Sequence, residues 1–212
     1  MLDKTIEYKN IIMRAEWDKV LNVTPPSLPA GYSFRFFAAD DLDHWARIEA
    51  SVDEFESADK ARDYFAQVYL PDMDNLAQRL IFALDPTGLP IATANSWYAE
   101  SDLGRQATLH WVAVCPEHQG KGIGKAIVQQ AMLNFQQLEN NRPVWLHTQT
   151  WSHVAVRLYH SLGFNMMKTA PLANANSRSG VTIKKPEYAD AITIFKTIMD
   201  ADFVDRLIST AI

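Results

Sequence analysis

The sequence is poor in several things at once. Among 212 residues there is one cysteine, Cys115, so an internal disulfide cannot form and a disulfide-stapled secreted scaffold is excluded. No apolar run approaches the ~18 residues that span a bilayer. The first residues, MLDKTIEYKNIIMRAEW, scatter charge where a signal peptide would be apolar. A soluble, cytoplasmic protein is expected. Basic residues are not in excess: the net charge is −5, which argues against a nucleic-acid partner. Repeats and low-complexity tracts are missing too. Glycine is scarce, at 8 residues.

What is present suits a full core. Hydrophobic residues make up 48% and charged residues 21%, the balance of a globular domain. Residues 8–14 read as a short strand. Thr24-Pro-Pro-Ser-Leu-Pro29 reads as a stiff linker, because three prolines oppose both helix and ladder pairing. Residues 1–30 are therefore read as an extension, a strand plus a Pro-rich linker, ahead of one domain at 31–212. Strands are expected at 32–37, 80–84, 91–98, 109–114, 144–148 and 164–168, and a last one at 191–198. The Asp85-Pro-Thr-Gly88 turn should close a hairpin. Helices are expected from Asp40 to about 50, over 58–68, over 122–138, after a cap at Ser152, and over 202–208. Residues 174–188 read as an exposed loop. This order is mixed α and β, an antiparallel hairpin followed by strand–loop–helix–strand–helix.

Three of the few glycines fall at 120, 122 and 124. They sit between a strand and a helix with Ile123, Ile127, Ala131 and Phe135 on one face. Glycine lets a ligand approach the backbone, and a helix N-terminus offers unpaired N–H groups and a positive dipole end. The combination favours a phosphate group, with Lys121 and Lys125 adding charge. A P-loop would need Ser or Thr where Lys125-Ala126 stand. A dinucleotide fingerprint would need its third glycine one residue later and no Pro116-Glu-His-Gln119 between strand and glycines.

The segment Val-Ala-Val-Cys-Pro-Glu-His-Gln-Gly-Lys-Gly-Ile-Gly-Lys, residues 112–125, resembles motif A of the GNAT acyltransferase superfamily, with Gln119, Gly122 and Gly124 in its Q/R-x-x-G-x-G/A core. Farther on, Ser152, Ala155, Leu158, Tyr159, Gly163 and Phe164 are similar to the superfamily's N-x-x-A-x-x-L-Y-x-x-x-G-F signature, Ser152 replacing its asparagine. The resemblance implies a GNAT fold: an α/β (α+β) arrangement with a mixed, mostly antiparallel central sheet splayed at an acyl-CoA cleft and helices on both faces. It implies acetyl-CoA as co-substrate and no metal. The backbone of Val112, Ala113 and Val114 would pair with pantetheine. Gln119, Gly120, Lys121, Gly122, Ile123, Gly124 and Lys125 would hold the pyrophosphate, and Ser152 would touch the cofactor. Tyr159 matches the general-acid tyrosine.

Acyl transfer to an amine also needs a base. Strict alternation would place Thr108, His110, Val112 and Val114 on one strand face. Thr108 stands where many family members carry glutamate and cannot take a proton. His110 matches by position a histidine that one branch of the superfamily uses for water-mediated deprotonation, and imidazole suits that task near neutral pH. The acidic run Asp53, Glu54, Glu56 falls where the family forms its acceptor site; Glu54 and Glu56 either attract a cationic amine or are solvated surface. Trp151 either lines that site or packs in the core. The expected activity is N-acetyl transfer to a primary amine of a small molecule or peptide, with a non-catalytic acyl-CoA sensor as the rival. The N-terminal residues and 174–188 are left to shape the pocket or a homodimer contact.

Overall fold

A computed structural model describes residues 2–101, 104–169 and 185–212. Its described strands form one sheet in the order β2-β3-β4-β5-β6-β1-β7. These are β1 (Asn10–Ala15), β2 (Ser33–Phe36), β3 (Leu80–Leu84), β4 (Pro90–Ser101), β5 (Gly104–Val114), β6 (Val144–Gln149) and β7 (Asn165–Met166). All pairings are antiparallel except β5 with β6. Parallel neighbours need a crossover, and α5 (Ile123–Leu138) supplies it. The N-terminal strand β1 lies inside the sheet, between β6 and β7. Its Ile11, Met13 and Ala15 belong to the main hydrophobic core.

Helices cover both faces. Ser96 of β4 donates its hydroxyl to the Ala131 carbonyl of α5 at 3.1 Å. The next residue, Trp97, points the other way and meets Tyr69, at the end of α3 (Ala58–Val68), edge to face at 5.0 Å. That second face also carries α2 (Leu42–Ser51), which buries Trp45, Ala46, Ile48 and Glu49. The remaining described helices are α1 (Trp17–Leu21), α4 (Met73–Arg79), α6 (His153–Ser161), α7 (Tyr188–Ile198) and α8 (Ala201–Thr210). None among the described residues is long and apolar enough to cross a membrane.

Two expectations are corrected here. Residues 191–198, rich in β-branched side chains, form most of α7 rather than a last strand. Ala191, Ile192 and Phe195 bury at helical spacing, and this packing overrides local β-propensity. Glu187 fixes the start of that helix by accepting from the Asn10 N–H and Nδ2, each at 2.8 Å. Ser152 makes no side-chain cap on α6, because a 3₁₀ turn over Thr150–Ser152 leads into the helix instead. Most of the expected 174–188 loop lies outside the described residues.

Candidate active site

The site begins where two parallel strands part. β5 and β6 pair only at Ala107↔Val144, Thr108↔Trp145 and Leu109↔Leu146. Beyond these, β5 runs on to Val114 and β6 to Gln149 with no pairing between them. The opening is sharpened by a bulge. Asn95 opposes His110 and Thr93 opposes Ala113, so Trp111 and Val112 share the one position of Ala94. Trp111 takes a φ of 46°, a rare conformation for a bulky residue. It is held there by rings of Trp45, Phe55 and Tyr64 at 5.9, 5.1 and 5.1 Å. The bulge overturns strict alternation. Cross-strand partners share a face, so His110 lies with Ala113, and Val114 is turned to the opposite face with Ala92.

After β5 the chain enters the glycine turn. Gly120 and Gly122 have φ of 74° and 81°, and a Cβ added at either would meet nothing within 4 Å. Open space thus lies directly above left-handed backbone, the shape a phosphate group needs. Gly122 is the N-cap of α5 and no side chain caps that end, leaving first-turn N–H groups available to a ligand. Gln119 donates its amide to the Val114 carbonyl at 2.9 Å, tying the turn to the strand. Lys121 Nζ donates to the Glu117 carbonyl at 3.0 Å.

Two cavities meet at the opening. One, about 280 Å³, is bordered by Val112, Ala113, Val114, Gln119, Gly120, Ile123, Gly124 and Ser152. The other, about 490 Å³, runs between the parted strands and has the aromatic walls Tyr8, Tyr64, Trp111, Trp145 and Trp151. Tyr159, 7% exposed, borders both, as do Glu54, Val112, Ser152 and Ala155. Burial, then the nearby Glu54 and Glu49 carboxyls, push the Tyr159 phenol well above its ordinary value and keep it protonated.

His110 faces the larger cavity and is 8% exposed. Its Nδ1 lies 3.2 Å from the Tyr69 hydroxyl, and its Nε2 has no hydrogen-bond partner. Burial, with His147 adding to it, pushes its pKa down to about 3, so the ring is a neutral acceptor across the physiological range.

The sequence-proposed residues are thus unevenly gathered. Lys121, Gly122 and Lys125 belong to the turn but border neither cavity. Glu54 is turned into the site, where Gln149 Nε2 donates to its Oε1 at 3.4 Å. The preceding Asp53, at φ 64°, makes the bend that directs it. Glu56 is exposed and borders neither cavity. Trp151 lines the larger cavity, held by its Nε1 donating to the Ile6 carbonyl at 2.6 Å and by Tyr8 edge to face at 5.0 Å. The segment before β1 therefore forms part of the wall. Away from the site, Glu139 is ion-paired with Arg79 at 2.9 Å, both buried.

One acidic site residue escaped the sequence reading. Glu49 is 1% exposed, lines the larger cavity, and has no hydrogen-bond partner on either carboxylate oxygen. Burial, then Glu54, raise its pKa well above the usual carboxylate value. A signal was present. Trp45, Ile48 and Val52 are buried on one stripe of the α2 region, and Glu49 sits at i+4 from Trp45, a charged residue where the pattern calls for an apolar one. Among the described residues no three His, Cys, Asp or Glu side chains are grouped to hold a metal ion.

A mixed sheet that splays beside a glycine-cornered helix start defines a class of α/β folds with a ligand cleft between parted strands. The chain belongs to the acetyltransferase (GNAT) family, whose model matches residues 40–164. It is similar to a mycothiol acetyltransferase of Propionibacterium freudenreichii, 24% identical over 174 residues, covering 77% of this chain and 54% of that protein. Similar solved structures include a GCN5-related N-acetyltransferase from Sphaerobacter thermophilus (TM-score 0.55, 22% identity, 76% of this chain and 49% of that one). Another is a GNAT acetyltransferase from Colwellia psychrerythraea (TM-score 0.57, 11% identity, 78% and 55%). The chain spans about half the length of each.

Proposed function

We propose that the protein moves an acetyl group from acetyl-CoA directly to a primary amine of a small molecule or peptide. The observation that carries this reading is the place of Tyr159, a buried, protonated phenol at the junction of the two cavities. The smaller cavity takes the donor. Its β5 edge at Val112, Ala113 and Val114 has no partner strand on the β6 side, leaving backbone groups for the pantetheine amides. N–H groups from Gly120 through Gly122 to Lys125 hold the pyrophosphate, and Lys121 and Lys125 contribute field rather than contacts. Ile123 packs under the turn, 1% exposed, and Ser152 borders the donor cavity from the 3₁₀ turn that leads into α6.

Acetyl-CoA, when bound, supplies the acetyl group as a thioester. The chain's own groups do the rest. Tyr159 offers its proton to the departing sulfur. His110, neutral and with Nε2 unpartnered, accepts a hydrogen bond from the attacking amine or an intervening water and so orients it. Cys115 is 1% exposed, packs against Arg47 and Ser51 and borders neither cavity, in keeping with direct transfer.

Calorimetry with acetyl-CoA followed by thiol release over an amine panel tests the reading. Binding followed by amine-dependent thiol release is expected. Binding without release on any amine would favour the sensor, and no binding would remove both readings.

A further inference from the structure

The larger cavity contains a chemical contradiction. Its walls are aromatic, yet Glu49 stands in it at 1% exposure with both oxygens unpartnered. A carboxyl group buried without partners is costly, and a carboxylate more so. Among the described lining residues there is no Lys or Arg to serve as counterion. The second acid there, Glu54, already accepts from Gln149 and feels the charge of Lys4.

Resting on the acetyl-transfer reading, we infer that the acceptor is a monocationic primary amine on a flat apolar body, whose ammonium group docks on Glu49 and passes its proton to that carboxylate. One free acid calls for one positive charge. Rings at Tyr64, Trp111, Trp145 and Trp151 call for a flat apolar body beside it. The lack of a lining cation turns away zwitterions such as free amino acids, whose carboxylate would be buried against Glu49.

Proton transfer breaks one ammonium N–H bond, leaves its electron pair on nitrogen and forms an O–H bond on Glu49. That pair then bonds to the acetyl carbonyl carbon as the carbon–sulfur bond breaks. Tyr159 gives its proton to the departing sulfur, and the second nitrogen proton restores the phenol. A carboxyl whose pKa is raised by burial is the stronger base for this step. The titratable groups around it are Tyr8 from the segment before β1, Glu54 after α2, Tyr64 and Tyr69 from the α3 region, His110 from β5, His147 from β6 and Tyr159 from α6.

The test uses benzylamine as probe amine with acetyl-CoA. Glu49→Gln should lower kcat/KM by about 100-fold or more at neutral pH. It should also remove the limb on which wild-type activity falls as Glu49 is protonated, while acetyl-CoA affinity stays within about twofold. Glu54→Gln should cost less. A Glu49→Gln enzyme within about threefold of wild type, with the acid limb intact, would overturn the assignment. A measurement on the wild type alone covers a variant that fails to fold. The enzyme–CoA complex, titrated with benzylamine, benzyl alcohol and phenylglycine, should bind the amine about tenfold or more tighter than the other two, reflecting one desolvated charge pair. Equal binding would overturn the inference. Wild-type transfer to phenylglycine but not to benzylamine would overturn it and leave acetyl transfer standing, whereas transfer to no amine would remove the parent reading.

Discussion

On the proposed reading, the two halves of the cleft would recognise their ligands by opposite means. The donor half is backbone: a glycine turn, a helix N-terminus and a strand edge. The acceptor half is side chain: aromatic rings and two acids brought together from the N-terminal segment, α2, α3, β5, β6 and α6. Backbone recognition must be written in consecutive residues, because the turn is local. Side-chain recognition can be drawn from anywhere the fold brings together. The first would therefore suit a common donor and the second an individual acceptor. Tyr159 stands where they meet.

The largest expected effect comes from the shared residue. Tyr159→Phe keeps the ring packed against Phe164 and removes only the hydroxyl, the proton donor. It should lower kcat by about 10²-fold or more while leaving acetyl-CoA affinity unchanged by calorimetry. Unchanged turnover would detach Tyr159 from the chemistry and break the idea of a common junction.

Next comes a change confined to the donor half. Gly122→Val puts a β-branched side chain at φ 81° over open space, at a backbone cost of about 1–2 kcal/mol. It should raise KM for acetyl-CoA about tenfold, the factor that 1.4 kcal/mol represents, with a smaller change in KM for the amine. Gly88→Val, at φ 87° in the β3–β4 hairpin and also facing open space, is the control: similar strain, no shift in acetyl-CoA KM. A donor KM that rises equally in both variants would mean that strain, not the cradle, is being measured.

This division also explains what could be read from the sequence. The glycine turn and the helix after it were legible because 3.6-residue periodicity and three close glycines are local facts. So were the hairpin at Asp85-Pro-Thr-Gly88 and the helix at Ala58–Val68. The bulge at Trp111 was not, since alternation assumes a ladder without insertions, and the register is fixed by β4. The helix α7 was misread because its β-branched residues favour a strand until packing is considered. Glu49 was legible in principle, as the acid on the apolar stripe of α2. Its pairing with distant aromatics was not, because only the folded sheet brings Trp145 and Trp151 to that wall.

A smaller effect should appear in acid. His110 titrates near 6.5 when unfolded and about 3 when folded. Between those values the unfolded chain binds a proton that the native one refuses, so stability falls as pH drops through that window. His110→Gln removes this proton linkage. Thermal melts at pH 7 and pH 4 should show a smaller loss for the variant than for the wild type. An equal loss would mean that His110 takes up a proton in the native cavity and is not held as a neutral acceptor.

The smallest effect runs the opposite way with pH. Glu49 has its folded pKa raised above the ordinary 4.5. Below 4.5 the group is protonated in both states and costs nothing extra. As pH rises, the unfolded chain loses that proton more readily than the native one, so the native state is progressively disfavoured. Glu49→Gln should therefore stabilise the ligand-free protein at pH 8 and barely change it at pH 4. Each 1 kcal/mol is worth about 2–4 °C in a chain of this size, so a gain of about 2 °C or more is expected at pH 8. A variant that gains stability while losing amine turnover would mark Glu49 as a residue kept for the acceptor at the expense of the fold. A variant destabilised at both pH values would mean that Glu49 has a partner in the free protein, and the acceptor half would then need its charge balance redrawn.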